Sequence, residues 1–437
     1  MGKKDEDGVK RRKRGGQGND KQVKETKEEK PKQDETNPYR ELGRTVCASL
    51  LIRVVIFFYW TDWLRDRVEL STPLVDISRL REAFILQDET DNVYSGDRVH
   101  MVPIMINGLW FVRFLNDTSL FVLFAMLEML SGLLLLWGTR AYLWEQGRNE
   151  SESQQLALLI LKGFLFNPLS ISTTCSLSLA AIYLHMASWV IYGFFTRNLI
   201  ASAVVSLWTS CSMYPLLILF PFLLRMKGRR VLTLTVFTVC FLVFTSLNFI
   251  LQGGSSFVEH TYFFSLRVDD VMPNVGVMWY FFTEIFTHFR LFFLVLFKLN
   301  ILVYIVPVNA TLRNDSLIAL LVSLCLIAVF VPYPSLSDAV PFLSLLPLIP
   351  SNVWKNVRYL LVESCTLATC VVLMPVMWHM WIISGSGNAN FFFGATLFYN
   401  IALIQMAIDI MHGSLKTTLS EKCPKDVPSE KTLIMFH

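Results

Sequence analysis

The chain has 437 residues, of which 53% are hydrophobic and only 17% charged, with a formal net charge of +4. Soluble domains carry about a quarter charged residues, so this composition excludes a soluble enzyme or binding module. It implies an all-α, polytopic membrane bundle. The eight cysteines, apart from Cys423, fall inside apolar runs with no C-x-x-C spacing, and they read as small buried hydrophobes without a disulfide framework or a zinc site.

Residues 1–43 are almost devoid of apolar side chains and are expected to form a disordered, cytosolic tail. The cluster Lys10–Arg14 has the composition of a localisation or RNA-binding patch, but it fits better as a cytosolic anchor under the positive-inside rule. No apolar core follows it closely, which excludes a signal peptide. Residues 44–412 are expected to be one multi-span domain, and 413–437 a short polar tail.

The first span is predicted from Arg44 to Trp63, with Arg53 snorkelling or facing the bundle interior. A luminal loop of about forty residues follows, with Asp62, Asp66 and Glu69 near its start. Val102 to Leu115 is short for a span and suits a re-entrant or interfacial piece. Leu120 to Trp137 reads as a span with Glu128 near its middle. At that depth Glu128 either pairs with Arg53 or faces a hydrophilic lipid headgroup. Thr139 to Gln155 reads as a cytosolic linker. Leu156 to Phe195 is broken at Asn167–Pro168, because proline lacks a donor and restricts the residue before it. Further apolar pieces are expected at Leu199–Ser212, Leu216–Leu224 and Val231–Leu251, with Lys227, Arg229 and Arg230 marking a cytosolic turn.

After a second luminal loop, Gly253 to Asn274, comes the densest aromatic run, with Trp279, Tyr280, Phe281, Phe282, Phe286, Phe289, Phe292 and Phe293. On continuous helical spacing Glu284 and His288 share a face, with Tyr280 a turn earlier. Such a face is either an interfacial anchor or a polar site. The helix is expected to run on towards Lys298, with Leu299–Val308 completing a further span. Spans follow at Leu317–Val331, Ala339–Pro350, Val357–Ile383 and Phe392–Ile410. Between the last two lies Ser384-Gly385-Ser386-Gly387-Asn388-Ala389-Asn390-Phe391. Its paired amides at a membrane boundary suit the hydroxyls of a sugar or inositol headgroup, and equally suit a helix N-cap. The count comes to about ten to twelve membrane elements.

Several of these stretches carry one resemblance. Pro273-Asn274-Val275-Gly276 through Phe289 resembles the P-N-I-G-x-x-W-Y-F-F-x-E-x-F-x-H-F signature of PIG-U, a membrane subunit of the GPI transamidase. Arg67-Val68-Glu69-Leu70 and the segment Tyr94–Pro103 are similar to that family's first luminal loop, departing from it at Val93. Asn167–Ile171, Tyr333–Asp338 and Gly385–Phe392 are similar to its other turns. The resemblance implies an endoplasmic reticulum protein working with a caspase-like catalytic subunit and further membrane subunits. In that reading this chain carries no catalytic residue, metal or cofactor and has no nucleic-acid partner. It binds and orients GPI, with Asn388, Asn390, Phe391, Trp279, Tyr280, Glu284, His288 and Glu128 as lipid-binding candidates. The first loop also resembles that of the polytopic mannosyltransferases that use dolichol-linked sugars. That resemblance implies a GT-C-like scaffold and leaves a lipid-linked-sugar mannosyltransferase as an alternative. A lipid transporter or scramblase using Arg53, Glu128 and the broken helices is a second alternative.

Overall fold

The computed structural model describes residues 38–422, and every regular element among them is helical. The expectations placed on 1–37 and 423–437, including the Lys10–Arg14 cluster, lie outside the described residues. Helix α1 (Pro38–Arg65) begins six residues earlier than predicted. α2 (Ile77–Thr90) lies in the first loop, with Asp76 accepting the Ser78 N–H at its start. α3 (Pro103–Gly108) and a 3-10 turn at Trp110–Phe114 fill the short stretch in the way a re-entrant or interfacial piece would, since neither is long enough to cross.

α4 (Asp117–Glu145), capped by Asn116, is followed by α5 (Glu150–Leu165). The predicted linker 139–155 is therefore mostly helix, and only 146–149 form the turn. Glu, Gln and Arg are strong helix formers, so polarity alone was a poor sign of a loop. The break at Asn167–Pro168 falls as expected. Asn167 Oδ1 accepts the Leu169 N–H at 3.0 Å, Pro168 takes the first helical position of α6 (Pro168–Cys175), and the chain bends by 47° from α5. A second break, before α7 (Ala180–Thr196), is imposed by tertiary contacts. Leu179 N–H donates to Val75 O at 2.9 Å, and Leu177 is held in the left-handed region at φ 57.

α8 (Ile200–Cys211) leads through a 3-10 turn to α9 (Leu219–Arg225) and then α10 (Arg230–Gln252). The loop expected at 253–274 is instead largely helical, with α11 (Ser256–Val258), a π turn and α12 (Phe264–Arg267). α13 (Met278–Glu284) and α14 (Thr287–Thr311) follow. α15 (Ser316–Phe330) is buried on nearly every side and forms the middle of the bundle, as expected for a helix apolar all round. α16 (Val340–Leu345) sits between two 3-10 turns, and α17 (Ser351–Trp354) is a single turn. α18 (Leu360–Trp378), prolonged by a π turn to Ile383, packs along α19 (Ala389–Lys422).

Six helices are long and apolar enough to cross a membrane, and the bent pair α5–α6 makes a seventh if it counts as one span. Five further apolar helices are only 10–17 residues long, among them those predicted as spans at Leu317–Val331 and Ala339–Pro350. α19 continues to Lys422, so the first ten residues of the polar stretch expected from 413 are helical. Gly413 lets that helix approach α17, where a Cβ would lie 3.1 Å from Val353 O, and Asn356 Nδ2 donates to Thr417 Oγ1 at 2.9 Å.

Candidate functional site

The interhelical loops meet on one face of the bundle. Arg79 pairs with Asp270 at 3.2 Å, Leu336 N–H donates to Glu69 O at 2.9 Å, and His100 bonds to His260 O. The Pro273–Gly276 turn is clamped there too. Asn274 Oδ1 accepts the Gly276 N–H at 2.8 Å, and Asn400 of α19 donates to Val275 O at 2.7 Å. A Cβ on Gly276 would come within 2.8 Å of Pro334. This turn aims α13 at the start of α19. Asn400 carries no signal in the sequence, and nothing in the Tyr333–Asp338 stretch marks Pro334 as the partner of a turn about sixty residues away.

There the aromatic run and the amide-bearing stretch come together. The Trp279 ring lies between Trp381, Phe392 and Phe393, with centroids 6.4, 6.0 and 5.9 Å away. Tyr280 stacks on Phe393 at 4.4 Å and its hydroxyl donates to Asn390 Oδ1. Asn388 Oδ1 accepts the Asn390 N–H at 3.1 Å, so it serves as the N-cap foreseen for it, and Gly387 N–H closes the loop on Met380 O. Both asparagines are exposed, and the Asn390 amide NH2 is left facing outward. Phe391 also faces outward and opens a groove of about 600 Å³ between α18 and α19. Leu361, Val362, Cys365, Thr369, Leu373, Met377, Ala395 and Phe398 line the rest of it. From Leu361 to Met377 the helical rise gives a length of about 24 Å. The exposed amides of Asn388 and Asn390 thus precede Phe391 in the chain, and Phe391 lines the long apolar trough.

Three candidates do not join this cluster as foreseen. Glu284 and His288 do not share a helical face, because the chain is extended at Ile285 and Phe286 and divides α13 from α14. Packing causes the break: Phe281 and Phe282 fold back on Phe297 at 5.0 and 5.8 Å, and Arg290 donates to Val268 O at 2.8 Å. Both residues are exposed, and the His288 ring lies against Phe289. Glu128 is wholly buried among α1, α4 and α6. Its Oε2 accepts from Arg53 at 2.7 Å and from Ser170 at 2.7 Å, so it offers no surface to a headgroup. The Arg53 guanidinium is also occupied by Ser49 and Leu165 O.

The acids at the end of α1 and in the first loop are divided. Asp62 and Asp66 line a polar pocket of about 300 Å³ with Asp76, Ser71 and Ser178. Glu69 is not in it; its carboxyl is buried without a partner among the described residues, and burial raises its pKa above the ordinary carboxylate value.

His100 supplies a pH-dependent lock on this face. Its ring is buried, stacks on Phe264, and donates Nδ1–H to His260 O at 2.9 Å. Burial lowers its pKa from 6.5 to about 4, with Arg79 nearby acting in the same direction. A depressed histidine binds fewer protons folded than unfolded. Its contribution is therefore complete above about pH 6.5 and is lost as the pH falls towards 4. Thermal unfolding of the detergent-solubilised chain should show a loss of stability between pH 6.5 and 4 that H100Q diminishes; equal pH slopes would refute the assignment.

The family description "GPI transamidase subunit PIG-U" matches residues 47–399. The chain is 27% identical over 408 residues to a human protein named GPI-anchor transamidase component PIGU, covering 85% of this chain and 93% of that one. It is 26% identical over 412 residues to the Cricetulus griseus protein of the same name, covering 86% and 94%. It is 29% identical over 371 residues to the Saccharomyces cerevisiae GPI transamidase component GAB1, covering 83% and 90%.

Proposed function

The chain belongs to the PIG-U family of GPI transamidase subunits, and on that premise we propose that it binds and orients the GPI lipid during attachment to protein C-termini in the endoplasmic reticulum membrane. The observation that carries this reading is the apolar α18–α19 groove, whose lining residue Phe391 directly follows the exposed Asn388–Asn390 pair that Tyr280 bonds. Acyl chains lie along the groove, and the glycan meets the outward amides. Holding the ethanolamine amine beside the acyl-enzyme of a caspase-like catalytic subunit raises its effective concentration, which is catalysis by positioning alone. A non-catalytic role is supported by the thiols. Cys175 donates to Arg53 O and Cys325 to Leu403 O, both inside the bundle and neither on a histidine.

The pocket around Asp62 and Asp66 favours one second reading, a mannosyltransferase using lipid-linked sugar. The two readings separate in cells lacking the endogenous chain. Filling the groove with C365W should lower a GPI-anchored surface reporter about tenfold or more while complete GPI precursor accumulates and the complex still assembles, because Cys365 is exposed on the groove wall. D62N/D66N should leave both unchanged. If the acid variant instead truncates the mannose content of the precursor and C365W does nothing, the GPI-orienting reading fails.

A further inference from the structure

The opposite face of the bundle holds a second, unassigned cleft. α10 is 23 residues long, about 35 Å at 1.5 Å per residue, so its first turn lies across the membrane from the loops that meet at Asn390. At that first turn an open cleft of about 720 Å³ is lined by Lys227, Gly228, Arg229, Arg230, Val231 and Leu232. The turn is made tight by Gly228 at φ 86, and Arg230 is tethered through Nε to Leu223 O at 3.0 Å with its remaining N–H groups free to bind. Among the described residues no acid pairs with Lys227, Arg229 or Arg230. By contrast Arg197 and Arg225 close by share Glu145. Three cations without an acidic partner among the described residues stand at the positive end of a helix that has no acid in its first turn and no side-chain cap, an arrangement that favours an anion there.

The cleft's remaining wall is apolar. Val231 is 81% and Leu232 49% exposed where α10 enters hydrocarbon, and the helix beyond them presents most of its side chains outward. An acidic protein segment would leave that wall unmatched, whereas a lipid satisfies both parts. We propose that Lys227, Arg229 and Arg230 bind the phosphate-bearing headgroup of an acidic phospholipid in the leaflet opposite the Asn388–Asn390 site, with its acyl chains along α10. This site is separate from the GPI reading and stands or falls without it.

The test uses the full-length chain in neutral detergent, titrated with dioctanoyl phosphatidylinositol 4-phosphate and dioctanoyl phosphatidylserine, with dioctanoyl phosphatidylcholine as the control. The acidic lipids should bind, more weakly as salt rises, and the zwitterionic lipid should not. Each cation contributes roughly fivefold, so K227Q/R229Q/R230Q should weaken binding by about a hundredfold and R229Q alone by about fivefold, while the charge-conserving K227R/R229K/R230K should stay within about threefold of the parent. A triple glutamine variant that binds like the parent overturns the proposal, including the case in which residues 1–37 carry all of the affinity. So does equal binding of phosphatidylcholine, or loss of a co-purifying subunit with lipid binding intact, which would make the cleft a protein docking surface.

Discussion

Replacing Asn388 by Ser and Asn390 by Ala together should reduce surface display of a GPI-anchored reporter by about tenfold to a hundredfold, the loss of one or two buried polar contacts to a headgroup. The pair is informative because the two amides hold different local jobs. Asn388 Oδ1 caps α19, a role that serine performs nearly as well, so N388S retains the helix start while shortening the reach to a ligand. Asn390 receives the Tyr280 hydroxyl and keeps its NH2 outward. Y280F removes the same hydrogen bond from the protein side and leaves the outward amide in place. N390A should therefore be much worse than Y280F if the amide meets a glycan, and about equal to it if the bond only secures α13. Recovery of GPI with the purified complex, measured by mass spectrometry, should follow the same order. Full reporter display by N388S/N390A would end the case for these amides as lipid contacts.

How much of this site could be read from the chain depends on what holds each part. The Asn167–Pro168 break and the Asn388 cap are local, since an amide side chain accepts a backbone N–H one or two residues ahead and proline fixes the turn. Both were legible. The aromatic run and the amide stretch were each visible, but not that Phe393 and Asn390 close on Tyr280, because no period in either segment encodes a contact across 110 residues. The division of α13 from α14 was hidden for a related reason. Ile285 and Phe286 contain neither glycine nor proline, and only the packing of Phe281 and Phe282 on Phe297 overrides helical continuity. The helical run of α19 to Lys422 depends on tertiary contact, since Gly413 is what lets α17 approach so closely.

Arg53→Met should destabilise the chain by about 3–5 kcal/mol, among the largest effects of any single substitution in it. The guanidinium is fully buried and donates to Glu128 Oε2 at 2.7 Å, Ser170 Oγ at 2.9 Å and Leu165 O at 2.8 Å. Those partners lie on α4, on α6 and at the end of α5, so one side chain ties α1 to both sides of the Asn167–Pro168 break. Taking it away strands a carboxylate in hydrocarbon with Ser170 as its remaining donor, and leaves Leu165 O with the Ser49 hydroxyl alone beside the break. Glu128→Gln should also destabilise, because the amide still accepts from Arg53 but the buried guanidinium loses its counter-charge. Arg53→Met combined with Glu128→Met should recover much of the loss, since an apolar pair of similar volume has no charge to desolvate. The measurement is thermal unfolding in detergent of the four proteins, read with the GPI-anchored reporter. A single Arg53→Met as stable as the parent would show that the pair is not the clamp described. A double variant that is stable yet inactive would show that the pair also serves the reaction.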